Sequence, residues 1–296
     1  MKKEYVFAII SIFLWSTVAT AAKLLLGAFN NIQVLFVSSL FAGLALLFVY
    51  LTPKKRKIFK IFRPKDYLAM SLIGLPGMFL YYIFYFGGAD GLPANQAFII
   101  NYLWPIMSVI FACFLLKESL TPRKILAILL SFVGIVIVTG GDLLSFRKET
   151  LWCALLCVLA AVCYGAFTAL NKKYPYDAGV VMMIGSFLSF LLTGIIIVAK
   201  KDFFTLNLSQ TLGFLYNGIF TMAIPNTLWI LALMRGNTAK ISNLAYMTPF
   251  LSMLCARLVL GEPIRLSSVI GLCVIVCGIL IQLKKTKKDE LLPSED

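Results

Sequence analysis

The chain has 296 residues, of which 60% are hydrophobic and 14% are charged, and its formal net charge is +14. Soluble domains are about half apolar and a quarter charged, so this composition excludes an ordinary water-soluble protein and predicts an integral membrane protein. The basic residues lie in short runs between apolar segments, which favours a role in orienting helices against the membrane over binding of nucleic acid.

Ten apolar segments follow one another along the chain, each about as long as the roughly 20 residues that cross a hydrocarbon core. They predict membrane-spanning helices at residues 5–24, 32–51, 66–88, 93–116, 123–140, 150–171, 178–199, 209–233, 238–260 and 265–283. The first segment has the basic start and A-x-A pattern of a signal peptide, but it has an internal counterpart and nine spans follow it. We therefore interpret it as a helix of an all-α polytopic membrane protein.

The distribution of basic residues predicts how these spans are oriented. An even number of spans puts both termini on one side of the membrane. Most of the 27 Lys and Arg residues then share that side, including the run KKRKIFKIFRPK at 54–65 and KKTKK after the last span. The positive-inside rule accordingly predicts cytoplasmic N- and C-termini in the plasma (inner) membrane, with residues 286–296 as a polar cytoplasmic tail.

Polar and aromatic residues interrupt the third and fourth spans. The third contains LYYIFYFGG, which places Tyr81 and Tyr85 on one helical face. The fourth contains NYLWP, in which Asn101 and Trp104 share a face; an amide at membrane depth should face protein or a cavity rather than lipid. Pro105 removes a helical hydrogen bond, so we expect it to kink this helix around a central space.

The other spans supply further residues of the same kinds. PNTLW in the eighth span puts Asn226 and Trp229 on one face. The full set of candidate substrate-binding residues is Trp15, Tyr81, Tyr85, Asn101, Trp104, Tyr164, Asn226, Trp229 and Tyr246, and the candidate helix kinks are Pro105 and Pro249. Packing is the alternative role for any single aromatic residue. Together, aromatic faces and a few amides suit an apolar, aromatic or zwitterionic solute.

An internal repeat relates the two halves of the chain. NYLWPIMSVIFACFLLKESL resembles AYMTPFLSMLCARLVLGEPI, which lies 144 residues later and aligns Pro105 with Pro249 and Glu118 with Glu262. The predicted units are residues 1–145 and 146–285, each with five spans. Five is an odd number, so the second unit enters the membrane in the opposite sense. Inverted repeats of this kind surround a central cavity and permit alternating access, which favours a transporter.

Several chemical groups are missing from the spans. The chain has no histidine, and its seven cysteines form no CxxC pair, so no metal site, cofactor or disulfide is expected. No Asp or Glu lies firmly inside a predicted span, which leaves no candidate for a buried proton relay. These absences favour facilitative transport over proton-coupled transport.

Over essentially its whole length the chain resembles the EamA branch of the drug/metabolite transporter superfamily. The resemblance is carried by the ten spans and by ALMRGNTAKISNLAYMTPFLSMLCARLVLGEPI in the second half. NQAFIINYLWP and AYMTP are similar to the YddG-type exporters of aromatic amino acids. The resemblance implies a ten-helix fold with a central cavity, export of amino acids or similar metabolites, and an aromatic lining of Tyr81, Tyr85, Trp104 and Tyr164.

Other functions stay open at this point. A multidrug or nucleotide-sugar transporter is the main alternative, although sugar nucleotides would favour basic residues deep in several spans. A membrane enzyme would need a positioned acid or base, and a non-transporting scaffold or sensor is the last alternative. The partners expected are a small-molecule solute and the lipid bilayer, with the protein acting as a monomer or weak homodimer.

Overall fold

The fold is helical throughout the part of the chain that the computed structural model describes. It describes residues 3–115, 117, 122–139, 148–174, 176–235, 244 and 247–283. Every regular element in these ranges is a helix, as expected for an all-α membrane protein. The repeat boundary at 145/146, Tyr246, Glu118 and the tail 286–296 lie outside the described residues.

The described helices are divided between a first and a second half of the chain. The first half contains α1 (Lys3–Ser16), α2 (Val18–Leu26), α3 (Asn31–Tyr50), a 3₁₀ turn (Arg56–Lys60), α4 (Pro64–Gly74), a π-helical segment (Leu75–Leu80), α5 (Tyr81–Gly91), α6 (Ala94–Asn101), α7 (Trp104–Leu115) and α8 (Pro122–Thr139). The second half contains α9 (Lys148–Lys173), α10 (Ala178–Lys200), α11 (Leu208–Tyr216), a second π-helical segment (Asn217–Ala223), α12 (Ile224–Arg235), α13 (Thr248–Leu260) and α14 (Leu266–Leu283).

Within the described ranges, 6 helices are long and apolar enough to cross a membrane. They are Lys3–Leu26, Asn31–Tyr50, Pro64–Gly91, Ala94–Leu115, Thr150–Lys173 and Ala178–Lys200, and the shorter apolar helices include Thr248–Leu260 and Leu266–Gly278. The protein is therefore a polytopic membrane protein by length and composition. The count of ten spans stays a prediction, because part of the chain between α12 and α13 lies outside the described residues.

Interruptions divide several of the predicted continuous spans. The predicted helix 5–24 is divided at Thr17, whose hydroxyl donates to the carbonyl of Leu14 (2.8 Å) and lies 2.9 Å from the hydroxyl of Tyr216. The predicted helix 93–116 ends as α6 at Asn101 and resumes as α7 at Trp104. Pro105 has no N–H to donate to the carbonyl of residue 101, so the regular bonding cannot pass this point.

Helices of one half pack directly on helices of the other half. α9 packs on α5 and α7 of the first half, α10 packs on α3, and α14 packs on α8. In return, α1 packs on α12 and α13 of the second half. The most extensive helix contacts among the described residues therefore join elements of different halves.

A glycine permits a close contact between α7 and α9. A Cβ atom at Gly165 of α9 would lie 2.5 Å from Cβ and 2.7 Å from the carbonyl carbon of Met107 in α7. These distances are shorter than real Cβ contacts, and one of them is to backbone that cannot turn aside. Gly165 thus sets the separation of α7 and α9, which both reach the centre of the molecule.

Polar contacts fix both ends of the α3–α10 pair. At one end, the amides of Asn30 and Gln33 donate to the carboxylate of Asp202 over 2.6 and 3.1 Å. At the other end, Asp177 accepts from the Tyr50 hydroxyl and from the backbone N–H of Val180 at the start of α10. The antiparallel pair is therefore held at each end by an aspartate.

Lys23 and Glu262 bind the two helix termini of the α5–α6 connection. The Lys23 ammonium donates to the carbonyls of Ala89, Asp90 and Leu92 over 2.9, 2.7 and 3.0 Å, at the C-terminus of α5. The Glu262 carboxylate, which follows α13, accepts from the N–H groups of Ala94 and Asn95 over 2.7 and 3.2 Å at the N-terminus of α6. Each charge has the sign that its helix dipole favours.

Candidate functional site

The interruptions at Thr17 and after Asn101 lie beside one cavity. Trp15 and Val18 flank the break between α1 and α2, and Asn101 and Trp104 flank the break between α6 and α7. The complete lining is Trp15, Val18, Tyr81, Tyr82, Phe98, Asn101, Tyr102, Trp104, Tyr164, Thr221, Asn226 and Thr248. We call this space the central cavity.

The central cavity is small in this conformation. Its volume is about 50 Å³, whereas pockets for drug-sized ligands measure roughly 300–1,000 Å³. Ring packing accounts for the difference, because Tyr164 lies 4.9 Å from Tyr81 and 5.3 Å from Trp104 between ring centroids. A mid-sized solute would therefore need these side chains to move apart.

Six of the nine predicted substrate-binding residues line the central cavity. They are Trp15, Tyr81, Asn101, Trp104, Tyr164 and Asn226. They come from α1, α5, α6, α7, α9 and α12, and so from both halves. The sequence thus identified residues that the fold brings together.

Two of the other predicted residues, Tyr85 and Trp229, do not line the central cavity. Tyr85 is fully buried behind the lining, where its ring stacks on Tyr81 with centroids 5.9 Å apart, because the face of α5 that reaches the cavity carries Tyr81 and Tyr82 instead. Trp229 packs in a small cluster around Ala8 and Ala232. Its ring centroid lies 5.3 Å from that of Trp15, which does line the cavity. Tyr246 lies outside the described residues.

The two predicted kink residues occupy the starts of helices. Pro105 is the second residue of α7 and Pro249 is the second residue of α13. Proline is well tolerated there, because the first N–H groups of a helix have no partner within the helix. Both helices begin beside the central cavity, at Trp104 and Thr248.

Hydrogen bonds orient the amides of the lining. The Asn101 amide donates to the Tyr81 hydroxyl over 3.0 Å, which ties α6 to α5. The Tyr164 hydroxyl lies 3.1 Å from Oδ1 of Asn226, and Nδ2 of Asn226 donates to the carbonyl of Met222 over 2.5 Å. Each amide is therefore fixed by a tyrosine from a neighbouring helix, with Tyr164 and Asn226 linking α9 to α12.

The remaining lining residues were not predicted as substrate contacts. They are Val18, Tyr82, Phe98, Tyr102, Thr221 and Thr248. The sequence could have indicated two of these residues as lining residues. Phe98 is three residues before Asn101 and shares its helical face, and Thr248 directly precedes Pro249. The sequence could not have indicated Thr221, because its position depends on the π-helical segment Asn217–Ala223.

The lining is uncharged. Among the described residues, no Asp, Glu, Lys or Arg lines the central cavity. The described part of the chain likewise contains no group of three or more His, Cys, Asp or Glu side chains that could hold a metal ion. What the cavity offers a solute is ring surface, amide groups and hydroxyl groups.

A second, more polar pocket lies at one end of the molecule. Its volume is about 340 Å³, and its lining includes Lys23, Asp90, Asn95, Glu262 and Arg265. Lys23 and Glu262 are already bonded to helix termini there. This pocket is therefore part of the contact that holds the α5–α6 connection.

Comparison with known proteins gives one family match that spans both halves. The model of the EamA-like transporter family matches residues 2–140 and again residues 151–283. The match thus covers nearly the whole chain, in two copies.

Individual relatives have low sequence identity to this chain but match much of its length. An uncharacterized transporter of Clostridium kluyveri is 26% identical over 97% of this chain and 95% of its own length. A protein of Escherichia coli named aromatic amino acid exporter YddG is 24% identical over 94% of this chain and 95% of its own length. A protein of the same name from Ancylobacter novellus is 25% identical over 61% of this chain and 64% of its own length.

A solved structure shares the fold. It is a protein crystal structure that superposes with a TM-score of 0.70 at 22% sequence identity, covering 94% of this chain and 96% of that one. At this identity the likeness shows the architecture alone.

Proposed function

Because this chain belongs to the EamA-like transporter family, we propose that it exports amino acids, aromatic or otherwise apolar, and related small metabolites across the plasma membrane. Transport proceeds by alternating access around the central cavity and is facilitative. Two relatives carry the name of aromatic amino acid exporters, and extending that activity to this chain is part of the proposal.

The observation that carries the proposal is the chemistry of the central cavity. Rings of Tyr81, Trp104 and Tyr164 enclose it, and the amides of Asn101 and Asn226 lie among them. Aromatic surfaces with a few polar groups suit a solute that has an apolar body and a polar head. A nucleotide sugar fits less well, because no described Lys or Arg lines the cavity to pair with its phosphates.

Facilitative transport is supported by the same lining. Proton-coupled pumps use carboxylates or histidines within the membrane, and among the described residues none lines the central cavity. A gradient of the solute itself is then the driving force.

We also propose that the two halves are inverted repeats of five helices each, residues 1–145 and 146–285, with both termini in the cytoplasm. The pairing of helices supports this arrangement: α1 packs on α12 of the other half, and α9 packs on α5. In the predicted span order these are contacts of the first span with the eighth and of the sixth with the third. Exchanging the two halves converts one contact into the other.

The π-helical segments support the repeat independently. α4 and α11 begin at Pro64 and Leu208, 144 residues apart, and each runs directly into a π segment, at Leu75 and Asn217. π-Helices are rare and concentrate at functional sites. Two π-helical segments in corresponding places of the two halves therefore support a repeat beyond a similarity of composition.

Uptake into proteoliposomes tests the function. Labelled tryptophan, phenylalanine and threonine would be offered to wild-type protein and to Trp104→Ala, with and without a pH gradient. We expect saturable uptake of the aromatic amino acids that needs no pH gradient and falls at least tenfold in the variant, since a ring that packs on Tyr164 is lost. Uptake of threonine alone would contradict the aromatic assignment, and strict dependence on the pH gradient would contradict facilitative transport.

A further inference from the structure

Most polar groups that line the central cavity already have partners. The Asn101 amide nitrogen is bonded to Tyr81, and the Tyr164 hydroxyl to Asn226. The Thr221 hydroxyl donates to the carbonyl of Asn217, one turn earlier, over 2.5 Å. These groups hold the cavity wall together and have little capacity left for a solute.

Two oxygens in the wall have no partner. Oδ1 of Asn101 and Oγ1 of Thr248 are buried, and neither bonds to any described residue. Their side chains are only 4% and 2% exposed. An unpaired buried polar atom costs about 1–3 kcal/mol, so a fold retains it most readily where something else completes the bond.

The two residues that carry these oxygens come from different halves of the chain. Asn101 ends α6 and Thr248 begins α13, and both line the central cavity. The oxygen of an amide accepts hydrogen bonds and cannot donate, while a threonine hydroxyl can accept. A ligand group that bonds to both oxygens therefore needs N–H or O–H donors.

The rings around them favour a cation as the donor. Tyr81, Trp104 and Tyr164 line the same cavity, and the faces of such rings attract an ammonium group when it is removed from water. A carboxylate beside the Asn101 oxygen would be repelled by it, and the described lining has no Lys or Arg to offset that repulsion.

We propose that Asn101 Oδ1 and Thr248 Oγ1 form an acceptor subsite for the ammonium group of the transported solute. This inference rests on the proposed transport function and specifies it: recognition is centred on the amine, and the body of the solute lies among the rings. A solute that lacks the amine is then a poor ligand, whatever its ring.

A matched pair of ligands tests the subsite. Phenethylamine and 3-phenylpropanoate carry the same phenylethyl body and differ in having an ammonium or a carboxylate at its end. Their binding to the purified protein would be measured by the ligand-induced change in melting temperature and by tryptophan fluorescence. We expect phenethylamine to bind at least tenfold more tightly.

Threonine variants locate the effect. Thr248→Val removes the hydroxyl at nearly constant volume and should weaken phenethylamine binding roughly three- to tenfold, the value of one hydrogen bond. Thr20→Val is the matched control, because Thr20 is also buried (3%) with an unpaired hydroxyl but does not line the central cavity. Asn101→Asp keeps oxygen at the free position and should retain amine binding, whereas Asn101→Leu should lose it.

The outcomes separate this inference from the transport function. Equal or tighter binding of 3-phenylpropanoate, or unchanged amine binding in Thr248→Val, would overturn the subsite even if amino acids are transported. Absence of uptake of every solute, with selective amine binding intact, would overturn the transport proposal and leave the subsite supported.

Discussion

At the scale of single residues, tyrosine hydroxyls decide how the amides of the central cavity are aimed. Tyr81 and Tyr164 each bond to an asparagine on another helix, and their rings lie 4.9 Å apart between centroids. An amide can turn its oxygen or its nitrogen to a ligand, and its bonding partner selects which. If the central cavity binds a solute as proposed, the tyrosines would contribute to its recognition without needing to touch it.

This role gives a prediction for Tyr164→Phe. The substitution keeps the ring but leaves Oδ1 of Asn226, a residue only 6% exposed, without its partner at 3.1 Å. We expect a loss of about 1–3 kcal/mol in stability, from the unpaired buried oxygen, and lower affinity for amino acids. Melting curves in detergent and uptake assays measure the two effects.

Tyr174→Phe provides the control for that variant. Tyr174 is 41% exposed and does not line the central cavity, so its hydroxyl should contribute little to either measurement. Equal behaviour of the two variants would show that the Tyr164 hydroxyl has no special part in the cavity.

At the scale of helices, close packing between the halves locates the cavity wall. α9 carries Tyr164, α7 carries Trp104, and Gly165 lets the two helices approach beside these rings. A larger residue at 165 would separate the helices at the level of the cavity, since the nearest atoms include backbone. The position of the cavity wall thus depends on residue 165 having no side chain.

Gly165→Ala tests this packing. We expect it to cost about 1–3 kcal/mol through overpacking, seen as a lower melting temperature and weaker uptake. Gly213→Ala serves as the comparison, because a Cβ there meets only the end of the flexible Leu25 side chain, at 3.2 Å. If both variants melt at the wild-type temperature, the separation of α7 and α9 does not depend on this contact.

The helices also show which parts of the fold the sequence could predict. Long apolar runs identified the six described spans, and Pro105 signalled the break after Asn101. The break at Thr17 carries no glycine or proline; it coincides with a bond to Tyr216, which is 199 residues away. Contacts of that kind cannot be inferred from local periodicity, and the same limit hid Thr221 from the candidate set.

The face of α5 is a second example. Spacing in an α-helix grouped Tyr81 with Tyr85, and both are buried, but only Tyr81 reaches the cavity, together with Tyr82. Periodicity says which residues share a face. It does not say how far that face is turned toward a cavity or toward the neighbouring helix.

At the scale of the whole molecule, one contact within the first half and one between the halves hold the α5–α6 connection. Lys23 and Glu262 come from opposite halves and bind the two ends of the same α5–α6 connection. Under the proposed alternating access, opening at this end by moving α13 away from α6 would break the bonds of Glu262 to Ala94 and Asn95. In that mechanism, the strength of these bonds would contribute to the balance between conformations.

Variants of Glu262 test this balance. Glu262→Ala removes the acceptor for two N–H groups of α6, and we expect a loss of about 1 kcal/mol, as for other helix caps. Glu262→Gln keeps one oxygen but no charge and should fall between wild type and Ala. Melting temperature and uptake rate would be measured for the series; if all three proteins match in both, the contact has no part in stability or transport.

The π-helical segments Leu75–Leu80 and Asn217–Ala223 have a consequence for how these spans tolerate changes in length. A π turn holds one more residue than an α turn would, whereas deleting a residue from a regular α-helix rotates everything beyond it by about 100°. A single-residue deletion inside Leu75–Leu80 can be absorbed by converting the π turn to an α turn, leaving Tyr81 and Tyr82 aimed as before. The same deletion in α5 has no such reserve and would turn the rest of that helix away from its partners. Each π-helical segment can therefore lose one residue without rotating the helix that follows it. The cavity-lining residues Tyr81 and Tyr82 follow the first segment, and Asn226 follows the second.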